Sequence, residues 1–329
     1  MATGEEELDV GQAKKEDEFG SLLRLSPKSK SNAEFITSLR ANFADHSGVQ
    51  DVHVNGDGEV KKPSYKAWTK KTGDMLEIPA IDFTNSALQE EREQYDITVK
   101  LFYLPGASIE KRATETREAI QLVLKELHIP SIDLLIVSFP GIYFDEQEDC
   151  PDKLSTRGPV EADPEPLESL LEAWKTIEQL HDEGIVLKLG IAEFGKERLE
   201  ALLDKARVPP AVDQINLRDC CSVPKDLMAL AKSKKVELLV HNDCSNVLPR
   251  GTVRELLGQG PDGAGVLAEP SKAGDKRKSL HGEEQTNGRS HDCLVGDVQP
   301  QWVVKYTAVV RNRGVIENKG YFAAAELTD

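Results

Sequence analysis

The strongest constraint on the fold is an alternation of strand and helix patterns that begins at residue 97. Short apolar runs typical of buried strands occur at residues 97–104, 132–140, 186–194, 212–217 and 236–243. Helical patterns separate them, and in the first of these Ile120, Val123, Leu124 and Leu127 fall on one face. This repetition predicts parallel strands joined by right-handed crossovers.

Two architectures fit such an alternation, an open doubly wound sheet and a (β/α)8 barrel. The glycine-rich motifs G-x-G-x-x-G and G-x-x-x-x-G-K-[ST], typical of doubly wound nucleotide-binding domains, do not occur. We therefore predict a (β/α)8 TIM-type barrel whose site lies at the C-terminal rim of the strands. The end of the chain is predicted to add an amphipathic helix at residues 301–313 and a strand at residues 314–321.

Two segments lack the bulky residues that a core requires. The acidic residues 1–20 are predicted to be a disordered tail, and residues 21–329 a single domain. Residues 259–292 are dominated by Gly, Pro, Ser and mixed charges, and are predicted to be a disordered, low-complexity insertion within that domain.

Composition and charge exclude several classes of protein. The formal net charge is −16 and no basic cluster occurs, which argues against binding to nucleic acid or to an anionic membrane. No apolar run approaches the roughly 20 residues of a membrane-spanning helix. The five cysteines include no C-x-x-C pair, so neither a zinc module nor a disulfide framework is expected. These features predict a soluble, cytoplasmic protein without a metal site.

The apolar runs, in their order and spacing, resemble the barrel of the aldo-keto reductase superfamily. Within it, the strings VKLF (99–102), QINLRDCCSVPKDL (214–227), LLVHND (238–243) and RGVIENKGY (313–321) are similar to one branch, the regulatory (modifier, light-chain) subunits of glutamate–cysteine ligase. The resemblance covers roughly residues 97–258 and 293–322.

The resemblance implies that the catalytic machinery of a reductase is largely missing. Aldo-keto reductases use an Asp, a Tyr, a Lys and a His, and the Tyr donates a proton with the help of the Lys. Lys100 matches the lysine, whereas Ser138 occupies the position of the histidine. Residues 20–95 contain no recognisable equivalent of the Asp or the Tyr. We therefore expect no catalytic residues, with Lys100 and Ser138 as vestigial positions.

The positions that bind the nicotinamide cofactor are eroded in the same way. By resemblance, Gln214, His241 and Lys319 match the amide-binding glutamine, the ring-stacking aromatic and the phosphate-binding lysine. The usual Ser-Asn pair is Ala192-Glu193 instead. No cofactor is expected to be required, and weak NADPH binding stays open. In the alternative, structural interpretation, Lys100 pairs with a carboxylate such as Glu193, and His241 is a hydrogen-bonded core residue.

Four cysteines are predicted to share the C-terminal rim. Cys150, Cys220, Cys221 and Cys244 each follow a predicted strand of the parallel set. Chance clustering of inert thiols is one interpretation. The other is a thiol-sensitive rim that contacts a partner or forms an intermolecular disulfide.

The resemblance implies a non-catalytic regulatory subunit that forms a heterodimer with the catalytic subunit of glutamate–cysteine ligase in glutathione biosynthesis. There it would improve the use of glutamate and weaken feedback inhibition by glutathione. Two alternatives stay open: an NADPH-dependent reductase of small carbonyl compounds, and a redox-sensing interaction protein that acts through Cys220 and Cys221.

Overall fold

The computed structural model describes residues 32–47, 64–85, 88–144, 162–217, 222–244, 246–268 and 293–328. The predicted acidic tail, residues 269–292 of the predicted insertion, and Cys150, Cys220 and Cys221 lie outside the described residues. None of the described helices is long and apolar enough to cross a membrane.

Five parallel strands form the larger part of the main sheet, which confirms the alternation seen in the sequence. They are β3 (Tyr95–Tyr103), β4 (Ile132–Ser138), β5 (Val186–Ala192), β6 (Val212–Ile215) and β7 (Glu237–Val240). Each pairs in parallel with the next along the chain. A separate antiparallel hairpin of β1 (Lys70–Thr72) and β2 (Met75–Glu77) precedes them in the chain.

Helices follow the parallel strands and cover both faces of the sheet. The described helices are α1 (Ala33–Ser47), α2 (Arg112–Leu127), α3 (Leu167–Asp182), α4 (Lys196–Lys205), α5 (Lys225–Lys234) and α6 (Arg250–Leu257). On α2 the predicted apolar face is buried, because Ile120, Val123, Leu124 and Leu127 all pack into the core. That burial is the main stabilisation of such a helix, since its exposed face contributes little.

The predicted helix at residues 301–313 is wrong. The chain there forms β8 (Asp297–Val310), which turns into β9 (Val315–Thr328) to make an antiparallel hairpin. Trp302 and Tyr306 fit the spacing of a helical face, but the segment also carries four valines and a threonine, which favour a strand. Antiparallel pairing with β3 along its whole length, from Tyr95 to Tyr103, decides between the two patterns.

The prediction of a closed barrel is also corrected. The main sheet has seven strands in the order β7-β6-β5-β4-β3-β8-β9, and in the described part of the chain no strand joins β7 to β9. Barrel closure requires the first and last strands to pair. Here the antiparallel hairpin occupies the outer side of β3 instead, so the sheet is open and mixed.

Two apolar clusters lie on opposite faces of this sheet. The larger contains residues of α2 to α5, with Trp174 buried at its centre and donating its indole N–H to the Val208 carbonyl at 2.9 Å. The smaller, formed with α1 and α6, includes Phe35 and Phe102. Burying an aromatic side chain of this size contributes roughly 2–3 kcal/mol.

The start of the predicted disordered insertion is ordered. Residues 259–268 follow α6, and Val266 and Leu267 are buried in the smaller cluster. Leu267 also forms an isolated β-bridge with Leu294, which ties the two ends of the insertion together. The sequence misses this part because two buried residues among many Gly and Pro give no periodic signal.

Candidate functional site

The C-terminal ends of β3, β6 and β7 bring together three of the predicted site residues. The ammonium of Lys100 donates to Gln214 Oε1 at 2.7 Å and lies 3.2 Å from His241 Nδ1. The register places all three side chains on the same face of the sheet, and because β4 and β5 separate β3 from β6, the sheet must curve for the long Lys100 side chain to reach the other two. The structure therefore brings these three residues together in one cluster, in which they contact one another.

The carboxylate partner of Lys100 is Asp243, which the sequence analysis did not single out. Its Oδ2 lies 3.1 Å from the Lys100 ammonium, and its Oδ1 lies 3.3 Å from the ammonium of Lys305 on β8. Asp243 follows β7 at the rim, two residues beyond His241, and this spacing was visible in the string VHND. Lys305 had no such signal, because its segment was predicted to be a helix.

Glu193, the carboxylate predicted to pair with Lys100, contacts His241 instead. Its Oε1 lies 2.7 Å from His241 Nε2, and both side chains are less than a tenth exposed. Glu193 follows β5 with φ at 66°, a left-handed conformation that costs a non-glycine residue about 1 kcal/mol. The charge of Glu193 still favours the protonated form of Lys100 from a distance.

The contacts of His241 fix which ring nitrogen carries the proton. Nδ1 faces two donors, the Lys100 ammonium at 3.2 Å and the backbone N–H of Asp243 at 3.1 Å. It must therefore act as an acceptor, so the proton of the neutral ring lies on Nε2, which faces Glu193. The imidazole thus contacts Lys100 through Nδ1 and lies against Glu193 at Nε2, which supports the structural interpretation of this histidine.

Burial and charge shift the acid–base properties of this cluster. Burial lowers the pKa of Lys100, and the charges of Asp243 and Glu193 oppose that effect. Burial alone would raise the pKa of Asp243, but Lys100, Lys305 and His241 together lower it to about 2. Asp243 is therefore ionised at neutral pH, and its negative charge faces the ammonium groups of Lys100 and Lys305.

A carbonyl reductase also needs a proton donor beside the lysine. In the described part of the chain, Tyr321 on β9 lies opposite Lys305 in the hairpin. Burial raises its pKa to about 12, and the charges of Glu34 and Asp243 add to the effect. An efficient proton donor needs a pKa near the working pH, so Tyr321 is poorly placed for that role.

The remaining predicted residues are not brought into the cluster as ligands. Ser138 is buried at the end of β4, opposite Phe102 in the pairing with β3. Lys319 lies on β9 and forms an ion pair with Glu34 of α1. The ammonium group that the resemblance matches to a phosphate-binding lysine is therefore paired with a carboxylate. Cys244 is half-buried beside Asp243, and its thiol donates to the Asn246 carbonyl.

Neither a metal site nor a shared cysteine rim can be read from the geometry. Among the described residues, no group of three or more His, Cys, Asp or Glu side chains could hold a metal ion. Because Cys150, Cys220 and Cys221 lie outside the described residues, their clustering with Cys244 stays a prediction.

The sequence of this chain is similar to those of known proteins. The chain is 27% identical to the putative glutamate–cysteine ligase regulatory subunit of Schizosaccharomyces pombe, over 91% of this chain and 90% of that protein. It is also 27% identical to the glutamate–cysteine ligase regulatory subunit of Homo sapiens, over 77% of this chain and 74% of that protein. The resemblance to this branch stated from the sequence is therefore confirmed.

Similarity to solved structures is partial. The aldose reductase from Schistosoma japonicum matches at 27% identity and a TM-score of 0.33, covering 45% of this chain and 46% of that one. The matched region thus covers less than half of either protein. At the level of sequence, the model of the aldo/keto reductase family matches residues 79–256, more than half of the chain. This protein belongs to the aldo/keto reductase family.

Proposed function

We propose that this chain is a non-catalytic regulatory subunit of glutamate–cysteine ligase, and that it acts by binding a separate catalytic subunit. The observation that carries the proposal is similarity to proteins of that name across most of the chain, including 90% of the length of the Schizosaccharomyces pombe protein. The coverage by reductases is lower, since the cyanobacterial aldo/keto reductase of Synechocystis matches only 46% of the chain.

The lysine cluster supports this proposal chemically. In a working reductase the lysine assists a proton donor, whereas Lys100 is here engaged by Gln214, His241 and Asp243. The nearby Tyr321 has a pKa raised to about 12. An ammonium has three N–H donors, and Gln214, His241 and Asp243 engage all of them, so none is left to assist a proton donor.

The proposed mechanism is a shift of population. The regulatory chain binds more tightly to the conformation of the catalytic subunit that accepts glutamate, and so raises the fraction of that conformation. A tenfold change in apparent affinity requires only about 1.4 kcal/mol of differential binding. No part of the ligation has to take place on this chain, and no cofactor is required.

Steady-state kinetics test this proposal. A purified glutamate–cysteine ligase catalytic subunit is assayed at varied glutamate and glutathione, with and without a saturating amount of this chain. An active aldo/keto reductase at the same concentration is the control protein. We expect a lower KM for glutamate and weaker inhibition by glutathione with this chain alone. Unchanged constants would remove the proposal.

The alternative function is an NADPH-dependent reductase of small carbonyl compounds. Family membership favours it. It predicts oxidation of NADPH in the presence of simple aldehydes, with loss of that activity in Lys100→Met. A rate equal to the background without protein would eliminate this alternative.

A further inference from the structure

One edge of the main sheet is a long strand with unused hydrogen-bonding groups. β9 is the terminal strand of the sheet and has 14 residues. Its inner side pairs with β8, but between residues 319 and 327 its backbone makes no other hydrogen bond to the described residues. Exposed edges of this length normally carry a bulge, a proline or several charges that prevent pairing with another chain. In β9 the charges lie at Glu317, Lys319 and Glu326, and register shifts interrupt its pairing with β8, but the run from Gly320 to Ala325 contains no charge and no proline.

The edge lies in a groove of about 1590 Å³. One wall is formed by α1 and residues 75–83, and the other wall by α2. Residues 319–325 of β9 line the groove continuously, so the unpaired backbone forms its floor. A groove with this shape accommodates an extended segment along the strand.

The groove has an apolar flank on each face of the sheet. On one face it is lined by Leu39 and Leu76, which pack against the smaller cluster. On the other face it is lined by Leu122 and Phe322, which pack against the larger cluster. Successive side chains of an added strand point to opposite faces, so apolar residues at both alternations would be buried here.

Trp302 provides an independent indication of an occupant. Its side chain lines the groove and is only 3% exposed, and its indole Nε1 has no hydrogen-bond partner among the described residues. A buried N–H without an acceptor costs about 1–3 kcal/mol. A segment bound in the groove can supply the missing acceptor through a carbonyl or hydroxyl oxygen.

We propose that an extended segment of the catalytic subunit adds to β9 as an eighth strand, with apolar side chains alternating between the two flanks. This proposal rests on the proposed function, because it names the partner assumed there. A second copy of this chain fits less well, since residues 319–325 of its β9 lie in the same groove, so that two sets of groove-lining helices would have to be accommodated between the edges.

The test uses two substitutions that block strand addition. Ala323→Lys and Ala325→Lys place charges on exposed positions within the groove, in one double variant. The matched control is Ile316→Lys, which adds a lysine at an exposed position of the same strand outside the groove. Affinity for the purified catalytic subunit is measured by titrating its activation, after circular dichroism has shown that each variant is folded.

The expected result is at least a tenfold loss of affinity for the double variant and less than a twofold change for Ile316→Lys. Equal activation by wild type and double variant would overturn the strand addition and leave the regulatory role intact. Absence of activation by wild type would overturn the regulatory role and, with it, the partner named here.

Hydrogen exchange gives a second measurement that does not depend on these variants. In the isolated chain, we expect the backbone amides of residues 319–327 that do not pair with β8 to exchange rapidly. They should become protected when the catalytic subunit is added. Protection of all these amides in the isolated chain would show that the edge is already occupied and would overturn the proposal.

Discussion

Removing either member of the buried Lys100–Asp243 pair should destabilise the protein strongly, and removing both should cost less than the two single changes added together. The Lys100 side chain is only 6% exposed and that of Asp243 20%. A buried charge that loses its partner is destabilising, whereas loss of a whole pair costs less than the two separate losses added together. The appropriate experiment is a double-mutant cycle with Lys100→Met and Asp243→Asn.

The size of the coupling energy between Lys100 and Asp243 follows from the pKa of the Asp243 carboxyl group. Its pKa is lowered from the ordinary 3.8 to about 2. At 1.36 kcal/mol per pKa unit, this corresponds to about 2 kcal/mol of stabilisation of the charged form. Lys100 supplies the largest part of that attraction and Lys305 the next. We therefore expect a coupling energy of about 1–2 kcal/mol between Lys100→Met and Asp243→Asn.

Urea unfolding followed by tryptophan fluorescence measures these free energies. Arg207 and Asp182 form the control pair, since their ends lie 2.6 Å apart but both side chains are more than half exposed. The same cycle there should give a coupling below about 0.5 kcal/mol. Additive effects at Lys100 and Asp243, within about 0.5 kcal/mol, would refute the argument that their burial makes the two charges interdependent.

Three further predictions concern other buried groups. Burial raises the pKa of Asp213 well above its usual value, and the charge of Glu193 adds to this. The stability that depends on a protonated Asp213 is present below about pH 4 and is lost as pH rises towards the folded-state pKa. Asp213→Asn should therefore gain stability relative to wild type between pH 5 and 7 in urea unfolding, and a loss at every pH would contradict this. Arg112 makes two hydrogen bonds to Glu165, at 2.8 and 2.7 Å, and stacks over Tyr103; Arg112→Lys should lower the free energy of unfolding by about 2 kcal/mol, because an ammonium cannot make both bonds. An unchanged urea midpoint would show that the two hydrogen bonds from Arg112 to Glu165 do not contribute to stability. Gly141 has φ at 71°, and a Cβ there would lie 2.8 Å from the Asp163 carbonyl carbon. Gly141→Ala should therefore lower the free energy of unfolding by at least about 1 kcal/mol in thermal melts. Gly184→Ala, with a similar φ but open space around it, should lower it by less in the same experiment.

The sequence predicted the parallel part of the fold because the signals there are local. Each of the strands β3 to β7 is a short apolar run, and each following helix has an apolar face of its own. Parallel order and crossover then follow from general rules of chain connectivity. The same rules place Lys100, Gln214 and His241 towards the C-terminal ends of the parallel strands, so a cluster of these residues could be predicted there.

The sequence could not decide the conformation of residues 297–328 or the closure of the sheet. Trp302 and Tyr306 satisfy a helical spacing as well as a strand, so the choice depended on pairing with β3, about 200 residues away in the chain. Closure depends in the same way on contacts between the ends of the sheet. Such long-range pairing leaves no local pattern that a reader of the sequence could recognise.

The partners of the site residues were likewise decided by tertiary structure. From the sequence, Glu193 and Asp243 are both carboxylates that follow strands at the same rim, and either could pair with Lys100. The left-handed backbone at Glu193 is accompanied by a contact with His241, while Asp243 lies between Lys100 and Lys305. The sequence determined which chemical groups are present at the rim, and the three-dimensional path of the backbone determined which charges neutralise one another.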